Sequence, residues 1–229
     1  MKNRPVTTLF MLISLDGKIS IGDTDKMDFD KDLPKIKGVR EGLYQYYDLE
    51  KKTDFYSLNT GRVMAKIGAN ERKDPIVCPA NFIIIDNKPH LTKNGVKYMA
   101  KWGKKLYLIT TNKKHPAFSL NNIPNVEIIY YSKLILRKMF EDLKKKYGVN
   151  RVTIQSGGTM NASFLREGLI DRLSIVIAPV LIGGKNTSTL IDGKSFHSIK
   201  ELTQVKALKL IKCNVLKNSY IHVIYSILN

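Results

Sequence analysis

Apolar runs alternate along the chain with segments of helical period. Val6 to Ser14 is a near-continuous apolar run with β-branched residues, which reads as a buried strand. "DFYSL" at 54–58 is a second, short strand. "NTGRVMAKIG" follows, where Asn59 or Thr60 caps a helix that carries Val63, Met64 and Ile67 on one face and stops at Gly68. "NFIIID" at 81–86, "KKLYLITT" at 104–111 and "VEIIYY" at 126–131 are three further strands. Residues 133–148 place Leu136, Met139, Phe140 and Leu143 at helical spacing, and Gly148 closes that helix. "RVTIQ" at 151–155 is the next strand, with a helix over 159–167 after it. "DRLSIVIAPVLIGG" at 171–184 is a strand that runs into a Pro and a Gly-Gly loop. The pattern then changes in kind. "TQVKALKLIKCN" and "SYIHVIYSIL" alternate apolar and polar residues, which predicts an antiparallel hairpin with one solvated face.

Apolar strands alternating with helices predict an α/β protein with a mostly parallel sheet covered on both faces, closed by the C-terminal hairpin. One domain is expected over residues 1–229, with no internal repeat and no clear linker. Residues 22–52 are polar and weakly periodic, are interrupted at Pro34 and Gly38, and end in the helical "EGLYQYYDLEKK". An excursion of that length is expected to be a lid or an insertion.

In open parallel sheets, ligands bind beyond the carboxyl ends of the strands. Those ends collect Ser14 to Lys18, Asn59 to Arg62, Asp86 to Lys88, Thr110 to Lys113 and Gln155 to Thr159. Two of them lead straight into helices, at 59–62 and at 156–160. A helix N-terminus favours an anion, and a glycine beside it lets a phosphate approach the backbone. Two such ends suit the pyrophosphate of a dinucleotide. Gly157-Gly158 taken alone fits a tight strand–helix turn equally well. No G-x-G-x-x-G follows the first strand, so a Rossmann dehydrogenase is disfavoured. P-loop and G-x-S-x-G patterns are absent as well.

Composition changes this picture little. The formal net charge of +18 admits a polyanion partner, but the lysines are spread along the chain and do not interleave with aromatic residues, so nucleic-acid binding is disfavoured. Two cysteines, Cys78 and Cys213, and four scattered histidines make no metal pattern. No apolar run reaches the roughly 18 residues of a membrane span. The first apolar stretch breaks at Asp16 without a small-residue cleavage site, so a cytoplasmic protein is expected.

"SLDGKIS" after the first strand, "NTGRVM" after the second, and "SGGTMNASFLREGLIDRLSIVIAPVLIGG" together resemble the reductase domain of bacterial riboflavin biosynthesis, in the right order over nearly the whole chain. The resemblance implies a dihydrofolate reductase-like fold, a homodimer and an NADPH-dependent oxidoreductase acting on CH–OH or CH–NH groups. It implies that Ser156, Gly157, Gly158, Thr159 and Met160, with Asn59, Thr60, Gly61, Arg62 and Val63, hold the cofactor's phosphates. Thr110, Thr111 and nearby Lys113 fall where the family binds the adenine and 2′-phosphate. Asp16 falls at the catalytic and substrate position, with Lys18 as a partner for an anionic substrate. A cis peptide between Gly157 and Gly158 is expected from the dihydrofolate reductases. Ser156 stands where the riboflavin enzymes usually carry an acidic residue, so another small substrate, dihydrofolate included, stays open. The helix after the second strand offers Arg62, Lys66 and Asn70 where a folate reductase has its hallmark carboxylate.

Overall fold

A computed structural model describes residues 3–120 and 122–228. Its strands are β1 (Val6–Ser14), β2 (Tyr56–Thr60), β3 (Asn81–Ile85), β4 (Lys105–Thr110), β5 (Val126–Tyr130), β6 (Arg151–Ile154), β7 (Arg172–Ala178), β8 (Leu208–Val215) and β9 (Ile221–Ile227). Its helices are α1 (Phe29–Asp32), α2 (Tyr44–Glu50), α3 (Gly61–Lys66), α4 (Lys93–Trp102), α5 (Leu136–Tyr147) and α6 (Gly158–Arg166). The chain divides into two compact units. One is Asp54–Ser156 with the first residues up to Pro5, and the other is Val6–Thr53 with Gly157–Asn229.

The first unit is a parallel sheet in the order β5-β4-β3-β2-β6. Parallel strands buried on both faces need continuous apolar runs, and Phe82–Ile85 and Leu106–Ile109 are fully buried ones. Phe82, Ile84, Leu106 and Leu108 pack with Val96, Met99 and Ala100 of α4 and Met64 of α3. Tyr107 points to the opposite face, where its ring meets Tyr147 of α5 edge-on at 5.4 Å. Helix α5 ends as expected, with Gly148 left-handed at φ 68°. Because all five strands are parallel, their carboxyl ends share one edge.

The second unit pairs β1 with β7 in parallel, then β9 and β8 antiparallel. Its core joins Phe10 and Leu12 of β1, Val176 and Ala178 of β7, and Tyr220 to Phe29, Leu33, Val39, Leu43 and Tyr46. The 22–52 segment therefore supplies core residues. Tyr46 stacks on Phe10 with centroids 5.0 Å apart, and the buried Tyr220 hydroxyl donates to the Val39 carbonyl at 2.7 Å.

Strand β8 differs from expectation. Alternation predicts one buried and one solvated face, yet Leu208, Leu210 and Ile211 are all exposed. Both faces of this outermost strand lie open along nearly its whole length, and a register shift between Leu210 and Lys212 inserts Ile211 and breaks the alternation.

Candidate active site

In the first unit the shared edge gathers the ends of β2, β3, β4 and β6. Thr60 caps α3, its side chain accepting the Val63 N–H at 3.4 Å. Asn59 lies just before it and is 5% exposed; its Oδ1 is a buried oxygen without a hydrogen-bond partner. An unpaired buried carbonyl costs about 1–3 kcal/mol, so it marks a place where a donor is wanted. Arg62 is exposed on the first turn of α3, and Val63 is half-buried beside it. Thr110 is fully buried. Its hydroxyl donates to the Asp86 carbonyl at 2.9 Å and accepts from the Asn112 N–H, so it shapes the loop from within. Thr111 is half-exposed, with its N–H on Asn87 Oδ1 at 3.0 Å, and Lys113 lies 5.7 Å from the Tyr130 ring centroid. Ser156, beyond β6, is buried.

Gly61 opens α3 directly against Asp86. A Cβ at Gly61 would overlap the Asp86 carboxylate. Asp86 itself is 1% exposed and accepts from the N–H groups of His90 and Leu91 at 3.0 Å each. His115 Nε2 lies 3.0 Å away and His90 Nδ1 2.9 Å away. Burial pushes the Asp86 pKa up. The donors, His115 foremost, outweigh that and hold it below the ordinary carboxylate value.

In the second unit the turn after β1 is tied to the loop after β7. Asp16 takes a hydrogen bond from Ser14 at 2.5 Å, and accepts the N–H groups of Gly183 at 2.6 Å and Ile182 at 3.1 Å. The Ser14 hydrogen bond is the largest cause of its lowered pKa. A smaller upward push from burial does not cancel it, and the two N–H groups add to the lowering. Lys18 Nζ donates to the carbonyls of Gly184 at 2.7 Å and Thr187 at 3.0 Å. Both predicted substrate residues thus hold the Gly-Gly loop in place. Asp16 keeps an exposed side.

The glycine pair departs from expectation in one respect. The peptide between Gly157 and Gly158 is trans. Gly157 is extended (φ −70°, ψ 158°) and serves as the N-cap, and α6 begins at Gly158, so a trans path already turns strand into helix. Neither glycine has a positive φ. Gly158 is glycine because of close approach: a Cβ there would overlap the Thr189 carbonyl and the Asp192 carboxylate, and its own carbonyl accepts the Asp192 N–H at 3.1 Å. At Gly157 a Cβ would meet nothing within 4 Å, and no side chain caps α6. The open face at Gly157 and the uncapped start of α6 fit an anion such as a phosphate. The orphaned Asn59 oxygen, in the first unit, fits a ligand N–H donor. Thr159 is exposed and Met160 half-buried on the first turn of α6. Sequence reasoning missed Asp192 altogether and weighed His115 only as one of four scattered histidines. It placed Asp86 among the strand-end residues but gave it no role.

The profile of the family described as RibD C-terminal domain matches residues 5–221. A 2,5-diamino-6-ribosylamino-4(3H)-pyrimidinone 5′-phosphate reductase of Aquifex aeolicus is 25% identical over 216 residues, 89% of each chain. The reductase of that name from Methanothermobacter thermautotrophicus is 32% identical over 59 residues, 26% of this chain and only 27% of that one. Among solved structures, Acinetobacter baumannii RibD superposes with a TM-score of 0.71 at 16% identity, over 100% of this chain and 59% of that one. The riboflavin biosynthesis reductase Rib7 of Saccharomyces cerevisiae superposes with a TM-score of 0.63 at 17% identity, over 100% and 92%. The fold these structures share is the α/β, dihydrofolate reductase-like one expected from the sequence.

The two glycines are predicted to respond differently to alanine. Gly158→Ala loses about 1–3 kcal/mol, since backbone and a held carboxylate must move. Gly157→Ala changes stability by less than about 1 kcal/mol, because its φ suits alanine while alanine is the poorer N-cap, and the two effects oppose each other. Urea unfolding of both variants checks this; equal losses would contradict it.

Proposed function

The chain belongs to the RibD C-terminal domain family, and we propose that it is an NADPH-dependent reductase of a phosphoribosylated pyrimidine in riboflavin biosynthesis. The observation that carries this reading is the match over residues 5–221, which takes in both glycine-started helices. Thr60, Gly61, Arg62 and Val63 are assigned to the cofactor's phosphates, as are Gly157, Gly158, Thr159 and Met160, and Asn59 is assigned to an N–H group of the cofactor through its unpartnered oxygen. Ser156 is assigned beside them, and Thr111 with Lys113 to the adenosine end, on a loop that Thr110 shapes. The nicotinamide, when bound, supplies the hydride. The protein's share is to hold and orient the two reactants and to keep water from the reacting carbon. Asp16 is assigned to substrate contact. Its lowered pKa makes it an anion at neutral pH, suited to accept hydrogen bonds from amino groups of the pyrimidine. Lys18 acts through the Gly-Gly loop that it braces.

The whole chain is read as one domain in the cytoplasm, with residues 22–52 an insertion built into the core of the second unit. A homodimer is supported by the exposed apolar side chains Ile199, Leu202, Val205, Leu208, Leu210 and Ile211 along and before β8. Sedimentation of the wild type should give twice the chain mass, and Leu210→Lys should shift it toward the monomer. A monomeric wild type would remove the dimer.

The function is tested by NADPH oxidation with three acceptors side by side: 2,5-diamino-6-ribosylamino-4(3H)-pyrimidinone 5′-phosphate, its deaminated 5-amino-6-(5-phosphoribosylamino)uracil counterpart, and dihydrofolate. The diaminopyrimidinone is expected to be reduced fastest, since the Aquifex and Methanothermobacter relatives carry that name. NADPH at about 100 times its Kd should stabilise the fold by about 2.7 kcal/mol. Gly157→Ala should raise the NADPH KM about tenfold, a loss of about 1.4 kcal/mol. Turnover of dihydrofolate alone would overturn the pyrimidine reading, and no response to NADPH would overturn the cofactor.

A further inference from the structure

Asp86 carries no role in the reading above, yet its buried carboxylate, on the strand-end edge of the first unit, touches three separate pieces of chain. The first is its own loop, through the N–H groups of His90 and Leu91 and through His90 Nδ1. The second is the loop after β4, through His115 Nε2. The third is the start of α3, where the missing side chain of Gly61 makes room for it. The Asp86 backbone adds two more ties to β4: its N–H bonds the Ile109 carbonyl at 2.9 Å, and its carbonyl takes the Thr110 hydroxyl.

The chemistry of this cluster is fixed by its neighbours. His115 Nδ1 accepts the Ala117 N–H at 3.1 Å, so that nitrogen is bare and the proton sits on Nε2, pointing at Asp86. The His115 side chain is fully buried and the His90 side chain 39% exposed. The carboxylate is therefore an acceptor for N–H groups on every side, and its two oxygens are used to clamp loops.

We infer that Asp86 is the positioning residue of the cofactor site. By packing under Gly61 and bonding His115, it sets the β2–α3 turn and the β4 loop at a fixed spacing. Those are the two pieces of the first unit assigned to the phosphates and to the adenosine end of the dinucleotide, so the inference rests on the cofactor reading. Asp86 does not touch the ligand.

The test is Asp86→Asn, a substitution of equal size that leaves one acceptor oxygen and turns an N–H₂ group toward donors. NADPH binding by calorimetry, steady-state kinetics and urea unfolding are measured on the full chain. Tyr220→Phe serves as the control, because it removes a buried hydrogen bond in the second unit, between residues with no assigned ligand role. Asp86→Asn is expected to raise the NADPH Kd and KM about tenfold or more while kcat at saturating NADPH stays within about twofold. Tyr220→Phe is expected to lower the unfolding midpoint and leave the NADPH Kd unchanged. Gly61→Ala should reproduce the binding loss, because its methyl group displaces the same carboxylate. Wild-type NADPH affinity in Asp86→Asn, or a fall in kcat as large as the rise in KM, would overturn the positioning role while the cofactor reading stands. A wild type that binds no NADPH would overturn the cofactor reading and this role together.

Discussion

Two aspartate carboxylates packed against helix-opening glycines are the constraint around which the strand-end loops are arranged. Asp86 lies under Gly61 at the start of α3, and Asp192 lies against Gly158 at the start of α6. In both places any side chain larger than hydrogen would collide with the carboxylate. Each carboxylate also binds groups elsewhere in its unit: His90, Leu91 and His115 for Asp86, and the N–H and hydroxyl of Thr189 for Asp192. A glycine placed as if for a ligand thus first satisfies the protein. Buried or half-buried polar groups are tolerated only when their hydrogen bonds are made, and these are made by clamping loops.

The second unit follows the same rule. Asp16 and Lys18 have the residue types of a substrate site, yet Asp16 accepts from, and Lys18 donates to, the backbone of the loop from Ile182 to Thr187. Asn161 binds the Leu190 carbonyl and Arg166 the Lys194 carbonyl, so the strap after the Gly-Gly loop is held from α6 as well. The result is a pre-formed set of loops. For hydride transfer that is the main demand on the protein, because the gain comes from orientation more than from side-chain chemistry.

Much of this is legible from residue order, and the exceptions have physical reasons. The parallel strands announce themselves as apolar runs because both of their faces are buried. Helix α4 carries a clear apolar side of Val96, Met99 and Ala100, but Asn94-Gly95 in its first turn reads as a turn signal and hides it. The hairpin is legible, but alternation cannot tell an edge strand from a covered one, so the exposure of β8 comes only from the structure. The strand-end loops can be located because parallel topology dictates their place. The partners within them cannot: nothing local in the sequence ties His115 to Asp86 or Asp192 to Gly158. Such pairings arise only when loops distant in sequence meet, and the glycines are their single visible trace. The expected cis bond fails for a different reason: it came from a resemblance, and an extended Gly157 already turns the chain with a trans bond.

Whether each glycine-started helix contacts the dinucleotide is tested most directly by hydrogen exchange followed by mass spectrometry, with and without saturating NADPH. Slowed exchange is expected in peptides covering 59–63 and 157–160, with the exposed strand β8 unchanged. Saturation with NADPH that leaves both glycine segments exchanging at the free rate would contradict the assignment.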